Sequence, residues 1–163
     1  MKVFAISDYK EPLRSLILAK GHGDSLASYQ LGRLIWQLTY VQQMPCDLLV
    51  PIPLHWTRYA WRGFNQADNI AQELSIASDK PVVSLLSRIK RTLPQSQLSQ
   101  EARQYNVKDI FVLAIHDKHA YEGKHIVLID DLMTTGATLR AAAKEVMKLK
   151  PASVTAVVAC RVV

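Results

Sequence analysis

Two adjacent carboxylates, Asp130 and Asp131, close the apolar run VLI, and Thr134, Thr135, Gly136, Ala137 and Thr138 follow within eight residues. Carboxylates exposed at the end of a strand offer oxygen acceptors, which suit sugar hydroxyls or a hydrated divalent cation. A helix start rich in Thr and Gly offers the opposite chemistry. Its free N–H groups, its positive dipole end and the threonine hydroxyls all suit an anion, and Gly136 lets the backbone approach closely. Together these residues describe a site for a sugar phosphate, with ring hydroxyls on the acids and the phosphate on the turn. The simpler alternative is a capped strand-to-helix turn with two surface acids, for which one such residue would suffice. No Gly-x4-Gly-Lys-Ser/Thr run occurs, which excludes a Walker-type loop.

A second unusual stretch follows the apolar run LLVPIPL at 48–54. Here Arg58 and Arg62 alternate with Trp56, Tyr59, Trp61 and Phe64, and Gly63 permits a sharp turn before Asn65 and Gln66. Arginine forks near a helix start bind pyrophosphate through paired hydrogen bonds, and Asn65 or Gln66 can donate more. Two other readings stay open. The arginines could stack on half-buried aromatics, or rings beside cations could carry the bases of single-stranded nucleic acid.

The elements that must position these residues alternate between strand and helix. Leu31, Leu34, Ile35, Leu38 and Val41 give a helical stripe over 26–42, and Ala67, Ile70, Ala71, Leu74 and Ala77 give another, entered from Asn65 or Asp68 as a cap. Leu139, Ala142, Ala143, Val146 and Leu149 form a third stripe, ending at Pro151 with Lys148 and Lys150 where cations favour the dipole. Strands are expected at 48–54, 81–86, 125–130 and 153–160. Pro51 and Pro53 fit the first only if their missing donors face an unpaired side or the strand's end. Helix-length segments between strands imply crossovers, hence an α/β fold with three layers and a mostly parallel twisted sheet flanked by helices. Ligands in such sheets sit beyond the carboxyl ends of the strands. Both unusual stretches fall there.

The 163 residues form one expected domain, with 1–25 as a small hood or opening segment, and 49% hydrophobic residues suit a folded core. Twenty Lys and Arg against fourteen Asp and Glu give a net charge of +6, which favours anionic partners. No apolar run is long enough to span a bilayer, and the start does not read as a secretory signal. A cytoplasmic location is therefore expected. Cys46 and Cys160 cannot build a disulfide framework or a four-thiolate zinc site and read as reduced thiols. His116 and His119, near Asp117, suggest a metal less than a solvated loop, since no third ligand stands nearby.

The run from Asp130 to Thr138 resembles the phosphoribosyl pyrophosphate (PRPP) signature of type I phosphoribosyltransferases. That resemblance implies that Asp130 and Asp131 hold the ribose 2′- and 3′-hydroxyls and serve, directly or indirectly, a Mg²⁺ ion, while 134–138 wrap the 5′-phosphate. Ala137 stands where many members carry Gly. Pro-Ile-Pro-Leu followed by Arg-Gly-Phe-Asn-Gln-Ala is similar to the ComF family, its GntX-like branch included. Family members also carry a linker like RTLPQSQLSQEARQYNVKDIF at 91–111, with Arg103 as a further implied catalytic position. Many have an N-terminal zinc ribbon of paired Cys-x-x-Cys motifs, and this chain begins where that ribbon would end. The resemblance runs from about Asp8 to Arg161. It implies a phosphoribosyltransferase-like protein that binds PRPP or a related ribose phosphate with Mg²⁺, linked to DNA uptake in natural competence. The alternative is a non-catalytic competence factor that binds single-stranded DNA beside other competence proteins and retains the pocket. Residues 87–110 form a long polar connection, read as a lid over the site or as a surface excursion.

Overall fold

The computed structural model describes residues 1–8, 15, 25–90 and 109–162, with Arg58 and Arg62 placed by their main chain. Strand β1 (Lys2–Asp8) is followed by helix α1 (Leu26–Leu38) and strand β2 (Leu48–Pro51). Helices α2 (Trp56–Arg62) and α3 (Gln66–Ser78) come next. Short strands β3 (Leu86–Arg88) and β4 (Phe111–Leu113) precede β5 (His125–Met133), α4 (Ala137–Val146) and β6 (Ser153–Arg161). Among the described residues, no helix is long and apolar enough to cross a membrane.

The central sheet has the order β1-β6-β5-β2, and every pairing is parallel. Its strands alternate between two covered faces, which is why β2 and β5 read as continuous apolar runs. Leu48, Val50, Ile126 and Leu128 pack under α4 and the β3–β4 hairpin. Leu49, Val127, Ile129 and Val157 pack under α1 and α3 through Leu31, Ile35, Ile70 and Leu74. Each such side chain contributes about 1.5–3 kcal/mol on burial. The three-layer architecture expected from the sequence is present.

Three elements differ from expectation. The 26–42 stripe breaks at Thr39, whose extended backbone (φ −121, ψ 166) ends α1 before a 3₁₀ turn at Tyr40–Gln43. Its hydroxyl donates to Ile35 O (2.7 Å) and accepts from Val41 N–H (3.3 Å), so the side chain competes with the helix for the backbone. Residues 81–86 do not make one strand. Val82 bridges Leu49 on the outer side of β2, whereas Leu86–Arg88 pairs antiparallel with Phe111–Leu113 in a separate small sheet. Finally, Lys2–Asp8, which the sequence reading put in a hood, forms the sheet strand beside β6, closed by the Asp8–Arg161 pair (3.2 Å).

Candidate functional site

The β2–β5 ladder brings the two unusual stretches together. Pro51 stands opposite Ile129, and Ile52 N–H donates to Ile129 O (2.9 Å), so the chain beyond β2 leaves the sheet beside Asp130 and Asp131. The strand carrying the acids is longer than expected. Asp130 pairs with Val158, Leu132 with Cys160 and Met133 with Arg161, which leaves 134–136 as the turn. Asp130 Oδ1 accepts the Asp131 N–H (2.9 Å), which orients that carboxylate, and both acids are half-buried. Among the described residues no group of three or more His, Cys, Asp or Glu could hold a metal.

Beyond the turn, Gly136 takes the N-cap position of α4 at φ +70, where it has no side chain of its own to cap with. Thr135 Oγ1 accepts from Ala137 N–H at a long 3.4 Å, and the first turn holds no acid. Ala137, where relatives by motif carry Gly, is outside the left-handed region; Gly136 alone in this turn needs the freedom of glycine. Sequence reasoning missed Arg140. Its Nη1 lies 3.1 Å from where a Cβ on Gly136 would sit, with Met133 Sδ at 3.5 Å, so an exposed guanidinium rests over the bend. One turn into α4, four residues after the glycine, its position was the available signal.

The basic stretch is a short helix. His55 caps α2 by accepting Thr57 N–H at Nδ1 (3.3 Å), and Gly63 ends it at φ +78, as the expected sharp turn. Arg58 and Arg62 fall on α2, while Trp56, Tyr59 and Trp61 are 71%, 51% and 77% exposed. Of the two uses expected for Asn65, the structure shows the cap. Its Oδ1 accepts Ala67 N–H (3.3 Å) and its Nδ2 donates to Ile52 O (3.0 Å), which ties the end of β2 to α3. Arg103 lies outside the described residues.

A cavity of about 280 Å³ opens beside this helix, walled by Pro51, Pro53, Trp56, Tyr59, Asp68 and Arg88 among others. Burial pushes the Asp68 carboxyl above its ordinary range, partly countered by its hydrogen bond with Asn65. Asp68, Ser84, Ser87 and Arg88 were not singled out as site residues, because they come from two elements that only the tertiary fold brings together.

The phosphoribosyl transferase domain profile matches residues 60–162 of this chain. The chain belongs to that family. Within it, competence protein F of Haemophilus influenzae is 34% identical over 156 residues, which cover 91% of this chain and 67% of that protein. DNA utilization protein YhgH of Salmonella typhimurium is 32% identical over 172 residues, covering 98% of this chain and 72% of that one. Both relatives support a ComF-like member of the type I fold. Among solved structures, the glutamine PRPP amidotransferase of B. subtilis superposes with a TM-score of 0.53 at 19% identity. That match covers 80% of this chain and a quarter of the enzyme chain (25%), and it shows the fold alone.

Proposed function

We propose that the carboxyl ends of β2 and β5 form one site for PRPP, or a related ribose phosphate with Mg²⁺, and that the protein acts in DNA uptake or use. The observation that carries this reading is the β2–β5 ladder, which sets the Asp130–Asp131 pair one strand spacing, about 4.8 Å, from the chain that leads into the basic helix. Asp130 and Asp131 would accept from the ribose hydroxyls. The turn at 134–138 would take the 5′-phosphate at the α4 start, where the N-cap residue is a glycine, and Arg140 would add a cation there. Arg58 and Arg62 would meet the pyrophosphate. A pair of carboxylates fits a hard cation that draws most of its oxygens from water and phosphate, and such an ion would supply charge neutralisation on the pyrophosphate.

In a catalytic cycle, an acceptor would form a bond to ribose C1 as the bond from C1 to the pyrophosphate oxygen breaks, the leaving group keeping the electron pair. The link to DNA rests on the relatives, one named for competence and one for DNA utilization. Calorimetric titration of PRPP with Mg²⁺ tests the site: Asp130→Ala with Asp131→Ala should abolish binding, and unchanged affinity would overturn the reading.

A second reading rests on the three exposed rings of α2 and the +6 charge. It makes the protein a non-catalytic binder of single-stranded DNA. A salt-dependent shift assay separates the two: DNA binding that survives loss of the Asp pair but collapses when Arg58, Trp61 and Arg62 are replaced favours the second.

A further inference from the structure

The two edges of the central sheet differ. At the β2 edge, Leu49 N–H donates to Pro81 O and Val83 N–H to Leu49 O (both 2.9 Å). By the alternation of backbone groups, the next outward donor would be that of Pro51, which has none. At the other edge, β1 pairs with β6 at a constant offset, from Lys2 opposite Thr155 to Asp8 opposite Arg161, so no bulge bends it. Among the described residues no strand lies on the outer side of β1.

Its sequence, KVFAISD, has no proline and carries charge at its two ends alone. Proline, a bulge or a central charge is how proteins blunt such an edge, and β1 has none of them. Each of its residues is exposed or half-buried, whereas β6 beside it is buried from Ala156 to Cys160. A groove of about 430 Å³ follows the strand from Val3 to Asp8. A row of outward backbone groups above a groove is a template for an added strand.

The order of residues in β1 points to which strand that is. Two copies related by a two-fold axis normal to the sheet meet antiparallel, and residues opposite one another must point to the same face. Centring the axis on Phe4 would set Lys2 against the partner copy's Ile6, and centring it on Ile6 would set Asp8 against the partner copy's Phe4. Centring it on Ala5 pairs the whole strand. Lys2 then meets the partner copy's Asp8, Phe4 meets its Ile6, Val3 meets its Ser7, and Ala5 meets its twin. Opposite charges and aromatic–β-branched pairs are favourable across strands. The Asp8 carboxylate already accepts from Arg161 (3.2 Å), and its two oxygens have lone pairs for a second cation.

We propose that β1 is a self-association edge, at which two copies of this chain join antiparallel across Ala5 and merge their four-stranded sheets into one. The reversal of strand direction puts the carboxyl ends of the two β5 strands at opposite rims. Neither copy then covers the other's Asp130–Asp131 pair, and the inference does not depend on what that pair binds.

Sedimentation velocity of the full chain over a rising concentration series tests it, with a reversible monomer–dimer equilibrium expected. Lys2→Asp and Asp8→Lys should each weaken association at least about tenfold, because like charges then face each other twice per dimer. Mixing the two variants should restore a dimer, since each copy now meets opposite charge at both ends; a folding defect would not be rescued in this way. Under mild oxidation, Ala5→Cys should crosslink to its twin, and Ser7→Cys, about 14 Å from its own, should not. The parent chain serves as the blank for Cys46 and Cys160. A monomer throughout the series, association that both charge variants keep, or crosslinking at Ser7→Cys without Ala5→Cys would overturn the proposal. So would full hydrogen-exchange protection of β1 in the dilute monomer, which would mean that another part of the same chain covers the edge.

Discussion

The two turns that meet at the carboxyl edge of the sheet are finished in opposite ways. After β2, side chains close the backbone. His55 caps α2, Asn65 caps α3 and also holds Ile52 O, and Gly63 closes the turn between them. After β5, α4 begins with a glycine in the cap position, one long bond from the Thr135 hydroxyl, no acid in its first turn, and a cation four residues later at the end where the dipole is already positive. A helix built for stability would reverse each of those choices. One turn is closed by its own side chains, and the other keeps a positive end.

That contrast can be broken experimentally. The largest effect belongs to the closed turn: Asn65→Ala removes a cap and orphans a buried carbonyl, and should cost about 2–4 kcal/mol in urea unfolding. A loss under about 0.5 kcal/mol would mean that Asn65 is not structural. Next, Gly136→Ala forces a side chain into a left-handed backbone, at about 1–2 kcal/mol. It also places a methyl 3.1 Å from Arg140 Nη1, so ribose 5-phosphate affinity should fall with it.

Arg140→Gln should move two readouts in opposite directions. It relieves a cation at the wrong helix end, raising stability by about 0.3–1 kcal/mol, while ribose 5-phosphate binds more weakly in the same preparation. If both fall together, Arg140 helps close its turn and the contrast fails.

Asp68 gives a smaller, pH-dependent effect. Its folded-state pKa is raised by burial, so the folded chain resists the charged form. The penalty appears as pH rises through the ordinary carboxyl range of about 3.9 and is complete above the folded value. Asp68→Asn should therefore raise the melting temperature at pH 7 and lose that gain near pH 3. A gain of equal size at both pH values would show that charge is not the cause. Least of all, Cys46, pushed up to about 11 by burial, should react with a thiol reagent at pH 8 far more slowly in the folded chain than in urea.

How legible the fold was depended on burial. HIVLI in β5 and LLVP in β2 are covered on both faces, so continuous apolar runs announced them, and the stripes of α3 and α4 followed from one-sided packing. β1 escaped notice because an edge strand with half-exposed residues has neither a buried run nor a clean alternation. The 81–86 run was misread as one strand because nothing local reveals that Val82 and Leu86 serve different sheets. At the site, the acids and the glycine turn were visible because their chemistry is local. Arg140 and the cavity residues were not, since an arginine on a helix and two serines near a hairpin acquire meaning from what the fold sets beside them. Asn65 was read for both of its uses, and hydrogen-bond geometry shows the cap.

Pro51 and Pro53 have a consequence beyond the gap they leave. An open strand edge invites another chain to zip onto it and extend the sheet from molecule to molecule. Here that row of donors is cut short where β2 leaves Val82 behind, so the residues that keep a hollow open also make this flank a dead end for fibrous growth.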